Sequence, residues 1–231
     1  MQRSRSASFA GSLEPSPIGL EPMAPRWATV HLLSHEPLHI TRRTRARSHA
    51  LKIAGARPAP TSSRIAQQSL RETGHAGFAT EAGVVYVTVD PGHAALRVNA
   101  DLSLERMLAH ALHHSARWDG PGYGRTLGAA LVSEGLAGHF AQEVFGKGPE
   151  PWESLPVSVL RTHIPRAFHE WAYEGYAHEA WFFGSPDFPR WLGYSLGYQL
   201  VARYLASHPG VRASELVHGD ARDFLPQLGE V

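Results

Sequence analysis

Two helical patterns separated by a glycine-rich turn constrain the centre of this chain. Apolar residues recur at helical spacing from about residue 103 to residue 118, and again from about residue 125 to residue 145. Between them, the sequence DGPGYG at 119–124 breaks any helix. A turn this short returns the second helix alongside the first, so these segments are predicted to form a helical hairpin.

The rest of the chain predicts an α+β fold that is mainly helical and has one small β-sheet. The sequence VVYVTV at 84–89 is rich in β-branched residues and is bounded by Gly83 and Pro91, so it is the one strong strand signal. Gly and Pro residues separate further segments with helical patterns. We predict helices there at roughly 154–162, 166–182, 190–207 and 213–228.

Residues 1–71 differ in composition from residues 72–231. The first segment carries 11 Lys and Arg against 3 Asp and Glu, whereas the second carries 11 against 18. We predict a basic, Pro/Ser/Arg-rich and partly disordered N-terminal region at 1–71, followed by one folded domain at 72–231. A basic arm could contact nucleic acid through its phosphates, but no nucleic-acid-binding motif accompanies it. A solvated tail is therefore favoured, and nucleic acid is not an expected partner.

The composition excludes several classes of protein. The chain has no Cys, so disulfide frameworks, cysteine-ligated metals and cysteine nucleophiles are all excluded, and any metal must bind to His, Asp or Glu. No apolar run approaches the ~18 residues of a membrane-spanning helix, and the N-terminal residues lack the apolar stretch of a secretory signal. We expect no membrane partner and, by default, a cytoplasmic location; the oligomeric state is not predicted.

His110 and His114 lie four residues apart on the first predicted helix. Residues at this spacing share one helical face, about 5–6 Å apart at Cβ, so one divalent ion could bridge the two imidazoles. The pair alone can arise by chance in a chain with 15 His. Two further pairs at this spacing, between residues 31 and 39, surround a Pro that interrupts any helix, and we interpret them as accidental.

Glu134 lies on the otherwise apolar face of the second predicted helix, together with Leu127 and Leu131. A carboxylate buried there without a partner would be costly, and a cation would supply that partner. Two His from one helix and one Glu from the next form the ligand set of a catalytic zinc with a fourth position open to water. We therefore predict that His110, His114 and Glu134 bind Zn. The alternative is an exposed or hydrogen-bonded Glu134 on a poorly phased helix.

These residues resemble the gluzincin-type zinc metallopeptidases, whose first helix carries HExxH and whose second helix supplies a Glu. The sequence LAHALHHSARWDGPGYGRTLGAALVSEGLAGHFAQE at 108–143 is more closely similar to a bacterial family of predicted zinc-dependent proteases, a domain of unknown function. The resemblance extends from about Glu72 to Pro226. It implies a zincin-like metallopeptidase domain at 72–231, a peptide or protein substrate, and amide hydrolysis by a zinc-bound water.

Ala111 is the main departure from the family pattern, because HExxH requires a Glu at this position. That Glu takes a proton from the water and passes it to the leaving amine, and Ala can do neither. Loss of a general base typically lowers the rate by ~10²–10⁴, whereas metal binding need not suffer because this Glu is not a ligand. The sequence therefore predicts a preserved metal site with impaired hydrolysis.

Peptidases of this type also need a donor that stabilises the oxyanion. By the resemblance and by residue type the candidates are His178, Tyr194 and Tyr198, with Tyr194 and His178 ranked above Tyr198. Packing in an aromatic-rich core is at least as good an interpretation for each of them. His113 points about 100° around the helix from the ligand pair and is expected to be a supporting or surface residue, and His139 a structural one.

Three hypotheses remain, so whether the chain is an enzyme stays open. In the first, it is a zinc metallopeptidase-like hydrolase impaired by Ala111. In the second, it is a non-catalytic pseudoenzyme that keeps the zinc and acts as a peptide- or protein-binding module. In the third, it is a structural helical domain whose His-rich composition has no function. The resemblance also implies a helix and a strand before residue 74, and the sequence at 41–70 fits neither well. If that strand is missing, the strand at 84–89 lacks a neighbour and the sheet is weaker.

Overall fold

The computed structural model describes residues 71–231, together with the backbone of two short strands at 28–33 and 52–54. Most of the segment assigned to a disordered N-terminal region lies outside the described residues. The described part is α+β and mainly helical, as the sequence predicts. Its strands are β1 (Ala28–Leu33), β2 (Lys52–Ala54), β3 (His75–Glu81) and β4 (Val84–Val89). Its α-helices after β4 are α1 (Ala94–Val98), α2 (Ser103–Arg117), α3 (Leu127–Phe145), α4 (Val157–Glu170), α5 (His178–Phe183) and α6 (Leu192–Ser207), and 3₁₀ helices lie at Pro151–Glu153, Ala213–Glu215 and Ala221–Glu230.

The sheet is antiparallel and has the strand order β2-β1-β4-β3. Strand β1 pairs along the whole of β4, from Ala28 opposite Val89 to Leu33 opposite Val84. The concern that β4 lacks a neighbour is therefore wrong. Strand β3 was not predicted because Gly77 interrupts its pattern. A Cβ at Gly77 would collide with the side chain of Met107 of α2. Close packing of α2 on the strand therefore requires glycine at this position, and the same glycine hides the strand pattern in the sequence.

Helix α2 lies between the sheet and α3. Its Ala111 packs with Val85 and Val87 of β4 in a small apolar cluster, and its opposite side contacts α3. Helix α3 is buried around nearly its whole circumference, because small and apolar residues occupy all of its faces. It is consequently the central element of the domain. No helix in the described part of the chain is both long enough and apolar enough to cross a membrane.

Helices α3 and α6 touch backbone to backbone at two glycines. A Cβ at Gly135 would collide with the carbonyl of Gly197, and a Cβ at Gly197 would collide with the carbonyl of Leu131. Such an approach is open only to residues without a side chain. Because the contact leaves no room for adjustment, it sets the position of α6 relative to the centre of α3.

The structure confirms three of the predicted helices and corrects the others. The predicted helices at 103–118, 125–145 and 190–207 are confirmed to within a few residues by α2, α3 and α6. The predicted break between 162 and 166 is wrong, because α4 continues through Pro165 and ends at Glu170. The segment at 213–228 forms two 3₁₀ helices rather than one α-helix: residues 216–220, which include Gly219, separate them, and Pro226 lies inside the second.

The glycine contact between α3 and α6 can be tested by unfolding. We expect Gly197→Ala to lower the free energy of unfolding by about 1–3 kcal/mol, because the added methyl must push two backbones apart. Gly148→Ala is the matched control, since a Cβ there meets nothing within 4 Å and Gly148 is not among the glycines with positive φ. Urea denaturation of both variants measures the difference; equal stabilities would contradict the packing described here.

Candidate metal centre

Three side chains from α2 and α3 converge on one point. The Nε2 atom of His110 lies 2.9 Å from Oε2 of Glu134, and Nε2 of His114 lies 3.4 Å from the same oxygen. The two Nε2 atoms are 3.0 Å apart. Donors bound to one tetrahedral zinc at 2.0–2.1 Å would be separated by roughly 3.3 Å. The spacing of these donors therefore fits a single ion of this size.

The local sequence explains the convergence. His110 and His114 are one turn apart on the same face of α2, and the turn at 118–126 brings α3 back along that face. Thr126 begins α3 by accepting a hydrogen bond from the Ala129 amide. Glu134 is then in the middle of the helix and is only 7% exposed. A carboxylate in that position requires charged or hydrogen-bonding partners.

The imidazoles keep this buried carboxylate ionised. Burial raises the pKa of Glu134, but the charges and hydrogen bonds of His114 and His110 more than offset it, so the net pKa lies well below the usual range. Burial lowers the pKa of His114, which favours its neutral form. Burial also lowers the pKa of His110, but the hydrogen bond and charge of Glu134 outweigh it, so the net pKa of His110 is raised. Metal ions bind the anionic carboxylate and the neutral imidazole, so His110 must give up any proton it carries when an ion binds.

Tyr123 holds the second oxygen of the Glu134 carboxylate. Its hydroxyl donates to Oε1 at 2.9 Å, which leaves Oε2 directed at the imidazoles. Gly122 and Gly124 on either side have φ of 65° and 87°, a left-handed conformation that favours glycine. Sequence reasoning treated this turn as a connection only. The sequence does contain one signal of this role: a single aromatic residue stands between two glycines in the turn that joins the two helices carrying the candidate ligands.

Ser133 orients the second imidazole. Its Oγ lies 3.2 Å from Nδ1 of His114. When Nδ1 carries the proton and donates to this hydroxyl, the lone pair of Nε2 points toward Glu134. Second partners of this kind fix the tautomer and the ring orientation of metal-binding histidines.

Ala111 lies beside the candidate ligands but carries no polar group. Its methyl is 1% exposed and packs with Val85 and Val87. In the HExxH arrangement this is the position of the general base. The site thus brings together three candidate ligands without the carboxylate that the motif places next to them.

Two of the three candidate oxyanion donors are connected to Glu134 through ring contacts: the His178 ring lies 5.9 Å between centroids from Tyr123, which donates to Glu134, and Phe182 contacts both His178 and Tyr194. Burial raises the pKa of Tyr194 well above its usual value, and the charge of Glu134 raises it further. Burial lowers the pKa of His178, and the same charge opposes that shift. Nδ1 of His178 lies 2.9 Å from the hydroxyl of Tyr176. The pKa values of Tyr194 and His178 therefore both depend on the charge of the Glu134 carboxylate.

The third candidate and two other residues near the motif have structural contacts. The Tyr198 hydroxyl donates to Gln142, and its ring stacks on His139 at 4.0 Å between centroids. His139 pairs through Nε2 with the carbonyl of Tyr198 at 2.9 Å, consistent with the structural role expected of it. His113 was expected to be a supporting or a surface residue; it is fully buried against Phe140, so the surface alternative is wrong, and burial holds its pKa well below the usual value.

A helical hairpin that presents two imidazoles and one carboxylate in this geometry has the three-ligand arrangement used by catalytic zinc sites. The chain belongs to the family described as Predicted Zn-dependent protease (DUF2268), whose model matches residues 61–226. This confirms the family that the sequence resembles. The match includes both candidate ligand helices and all three candidate oxyanion donors.

One curated relative is also similar to the chain. The Bacillus subtilis (strain 168) protein named "Uncharacterized protein YjfC" is 25% identical over 174 residues. This alignment covers 68% of the chain and 56% of the relative, so the chain spans about half the length of the curated protein it matches. No solved structure matches the chain significantly.

The role of Tyr123 can be measured through metal affinity. We expect Tyr123→Phe to weaken zinc binding by about 10–100-fold, because the carboxylate loses the donor that orients it. Tyr173→Phe is the matched control, since that side chain is 58% exposed and lies outside the site. Competition with a chromophoric chelator gives both affinities. A Tyr123→Phe affinity equal to that of the control would show that the hydrogen bond does not support the site.

Proposed function

We propose that this protein is a zinc-binding metallopeptidase-type hydrolase whose peptide hydrolysis is weakened by Ala111. The observation that carries the proposal is the convergence of His110, His114 and Glu134 within hydrogen-bonding distance, from two helices of a chain in a family named for zinc-dependent proteases. The proposed substrate is a peptide or protein. A cytoplasmic location remains a prediction from the sequence.

Each element of the site has a proposed task. His110, His114 and Glu134 would hold a zinc ion, which when bound supplies a Lewis acid and lowers the pKa of a coordinated water toward about 7. Tyr123 and Ser133 keep two of these side chains in the binding orientation. Little rearrangement is then needed when the ion arrives, because the donors are already grouped.

Tyr194 and His178 are the proposed donors to the oxyanion that forms when the amide carbonyl is attacked. Burial raises the pKa of Tyr194, so its phenol stays protonated and can donate at neutral pH. The His178 ring stacks on Phe182 at 4.6 Å between centroids, contacts the Tyr123 ring and remains partly exposed. One oxyanion donor contributes on the order of 10²–10³ in rate in well-studied enzymes.

The alternative function is a non-catalytic zinc-binding pseudopeptidase that binds a peptide or protein without cutting it. Ala111 favours it directly, because the methyl fills an apolar contact with the sheet rather than leaving a polar gap. The two proposals share the metal and differ only in whether any group performs the proton transfer. They are separated by restoring a carboxylate at position 111.

Metal content is the first test of both proposals. We expect the dialysed full chain to bind near one zinc per molecule and to unfold at a higher temperature with zinc, because only the folded state groups the three ligands. His110→Ala should abolish both effects, whereas His169→Ala, a change at an exposed histidine, should abolish neither. Elemental analysis and thermal melts give these readouts. Zinc binding unaffected by His110→Ala would eliminate the site.

Restoring the motif tests hydrolysis. Ala111→Glu should raise the cleavage rate of a broad peptide library by about 10²–10⁴-fold, because the carboxylate supplies the missing general base. Ala111→Gln is the matched control: it has the same size and no basic oxygen. Both side chains enter a tightly packed position, so circular dichroism must first show that each variant folds. A folded, zinc-loaded Ala111→Glu protein without cleavage would favour the pseudopeptidase.

A further inference from the structure

Tyr176 and His178 form a hydrogen-bonded pair at the start of α5. The hydroxyl of Tyr176 lies 2.9 Å from Nδ1 of His178, and the two rings are 5.7 Å apart between centroids. The backbone holds the same two residues together, because the amide of His178 donates to the carbonyl of Tyr176 at 2.9 Å. Ala177 between them has φ of −76° and ψ of 79°, which is close to an inverse γ-turn. The pair is therefore fixed by local backbone geometry as well as by the contact between its side chains.

Both rings of the pair pack against neighbouring side chains. The Tyr176 ring is partly buried against the main apolar core. The His178 ring stacks on Phe182 at 4.6 Å between centroids, and Phe182 is completely buried. The imidazole of His178 thus rests on a fixed surface while its Nδ1 atom contacts a fixed hydroxyl, so its orientation is set from two directions.

Tyr123 connects this pair to the candidate metal centre. Its ring lies 5.9 Å from the His178 ring and 5.6 Å from the His114 ring, both between centroids. Its hydroxyl donates to Oε1 of Glu134 at 2.9 Å. His178 is therefore separated by a single residue from two of the three candidate ligands, and direct contacts join it to them.

The chemistry of the two groups determines which of them donates the hydrogen bond. A phenol is a stronger acid than the N–H of a neutral imidazole, and an unprotonated ring nitrogen is a better acceptor than a phenol oxygen. Burial raises the pKa of Tyr176 to about 12, so its hydroxyl keeps the proton that it donates. Burial lowers the pKa of His178, against the charges of Glu134 and Glu179, which favours the neutral imidazole. When Nδ1 of a neutral imidazole accepts, the ring proton is on Nε2.

The Nε2 atom of His178 is open to a ligand. Within residues 71–231 this atom has no hydrogen-bond partner, and it is not among the buried polar atoms. The side chain as a whole is partly exposed. A proton on Nε2 is consequently free to be donated to an acceptor oxygen of a bound molecule.

We propose that Tyr176 is a positioning residue that holds the proton of His178 on Nε2, from which this nitrogen donates to the oxygen of a bound amide. The inference deepens the proposed function and rests on it, because His178 is there a donor to the oxyanion. The hydrogen bond made by one ring nitrogen of a histidine sets which nitrogen carries the proton. Without the hydroxyl of Tyr176, the ring exchanges between two tautomers, and only one of them has a donor on Nε2.

Tyr204 and His208 near the end of α6 provide a matched comparison. Their rings stack at 4.1 Å between centroids, but Nδ1 of His208 contacts the backbone carbonyl of Tyr204 rather than its hydroxyl. Tyr204, like Tyr176, is partly buried against the main apolar core. Tyr204→Phe therefore removes a tyrosine hydroxyl beside a histidine without changing the partner of a ring nitrogen.

The first experiment identifies the tautomer by NMR and does not depend on activity. The full-length, metal-free protein is labelled with ¹⁵N in its histidine rings, and His178→Gln identifies the signals of His178. At pH 8 the lowered pKa of His178 leaves the ring neutral. We expect Nδ1 to have the ¹⁵N shift of an unprotonated nitrogen and Nε2 that of a protonated one, both in the unmodified chain and in Tyr204→Phe. In Tyr176→Phe the two shifts should move toward each other, because the ring then exchanges between tautomers.

The second experiment measures cleavage of one library peptide by the zinc-loaded Ala111→Glu protein, in which the expected rate is highest. Adding Tyr176→Phe should lower kcat by about 2–10-fold, the effect of one hydrogen bond of ordinary strength. KM and the zinc content should stay unchanged, because the oxyanion exists only after attack on the bound amide. Adding Tyr204→Phe should leave kcat unchanged. Thermal melts check the folding of each variant, since Phe keeps the ring that packs against the core.

The outcomes separate this inference from the proposed function. A protonated Nδ1 in the unmodified chain, or identical spectra for the unmodified chain and Tyr176→Phe, would overturn the inference. A changed spectrum with an equal kcat would show a purely structural pair, so the inference fails while the peptidase site stands. If the folded, zinc-loaded Ala111→Glu protein cleaves nothing, the proposed function fails, and the role of Tyr176 in catalysis fails with it. A single Nε2–H tautomer that depends on Tyr176, together with the lower kcat, supports the inference.

Discussion

The whole structure depends on one buried carboxylate in the middle of the central helix. Glu134 interrupts a helix whose other central residues are small or apolar, and it is nearly inaccessible to water. Moving one charge out of water costs several kcal/mol even after relaxation, so the neighbours of Glu134 must offset this cost with opposite charge and hydrogen bonds. His110 and His114 supply one side and Tyr123 the other. The hairpin between α2 and α3 is therefore held together by the same contacts that group the candidate ligands.

The packing around α3 makes this arrangement rigid. The Gly135 and Gly197 contact brings α6 to backbone distance, and α6 carries Tyr194 toward the charge of Glu134. On the side of α2 that faces the sheet, Ala111 packs against Val85 and Val87 of β4. Helix α2 is thus fixed from two directions, so its two imidazoles cannot move apart without disturbing the core. A metal site built on such elements is more exact in its geometry than one built on loops.

The sequence predicts features whose contacts lie close together in the chain and misses features that depend on residues of distant segments. The periodicity of α2 and α3, and the pairing of two His with one Glu, reflect contacts within a single hairpin and were predicted correctly. Strand β3 was missed because its glycine is explained by Met107, a residue of a different element. Tyr123 was missed for the same reason, since its contact with Glu134 joins segments that no periodic pattern connects. Pro165 was overweighted, because an exposed helix can lose one hydrogen bond and continue.

Two buried carboxylates, Glu134 on α3 and Glu153 against Gly138 of the same helix, show that burial alone does not decide a pKa. Glu134 faces two imidazoles, which lower its pKa despite burial, so it remains an anion suited to hold a cation. Glu153 of the 3₁₀ helix Pro151–Glu153 is also buried, but Arg106 pairs with Glu150 rather than with it, and burial raises the pKa of Glu153 to about 7. Burial of similar groups thus has opposite outcomes beside one helix, because only Glu134 has two imidazoles within hydrogen-bonding distance to hold its charge.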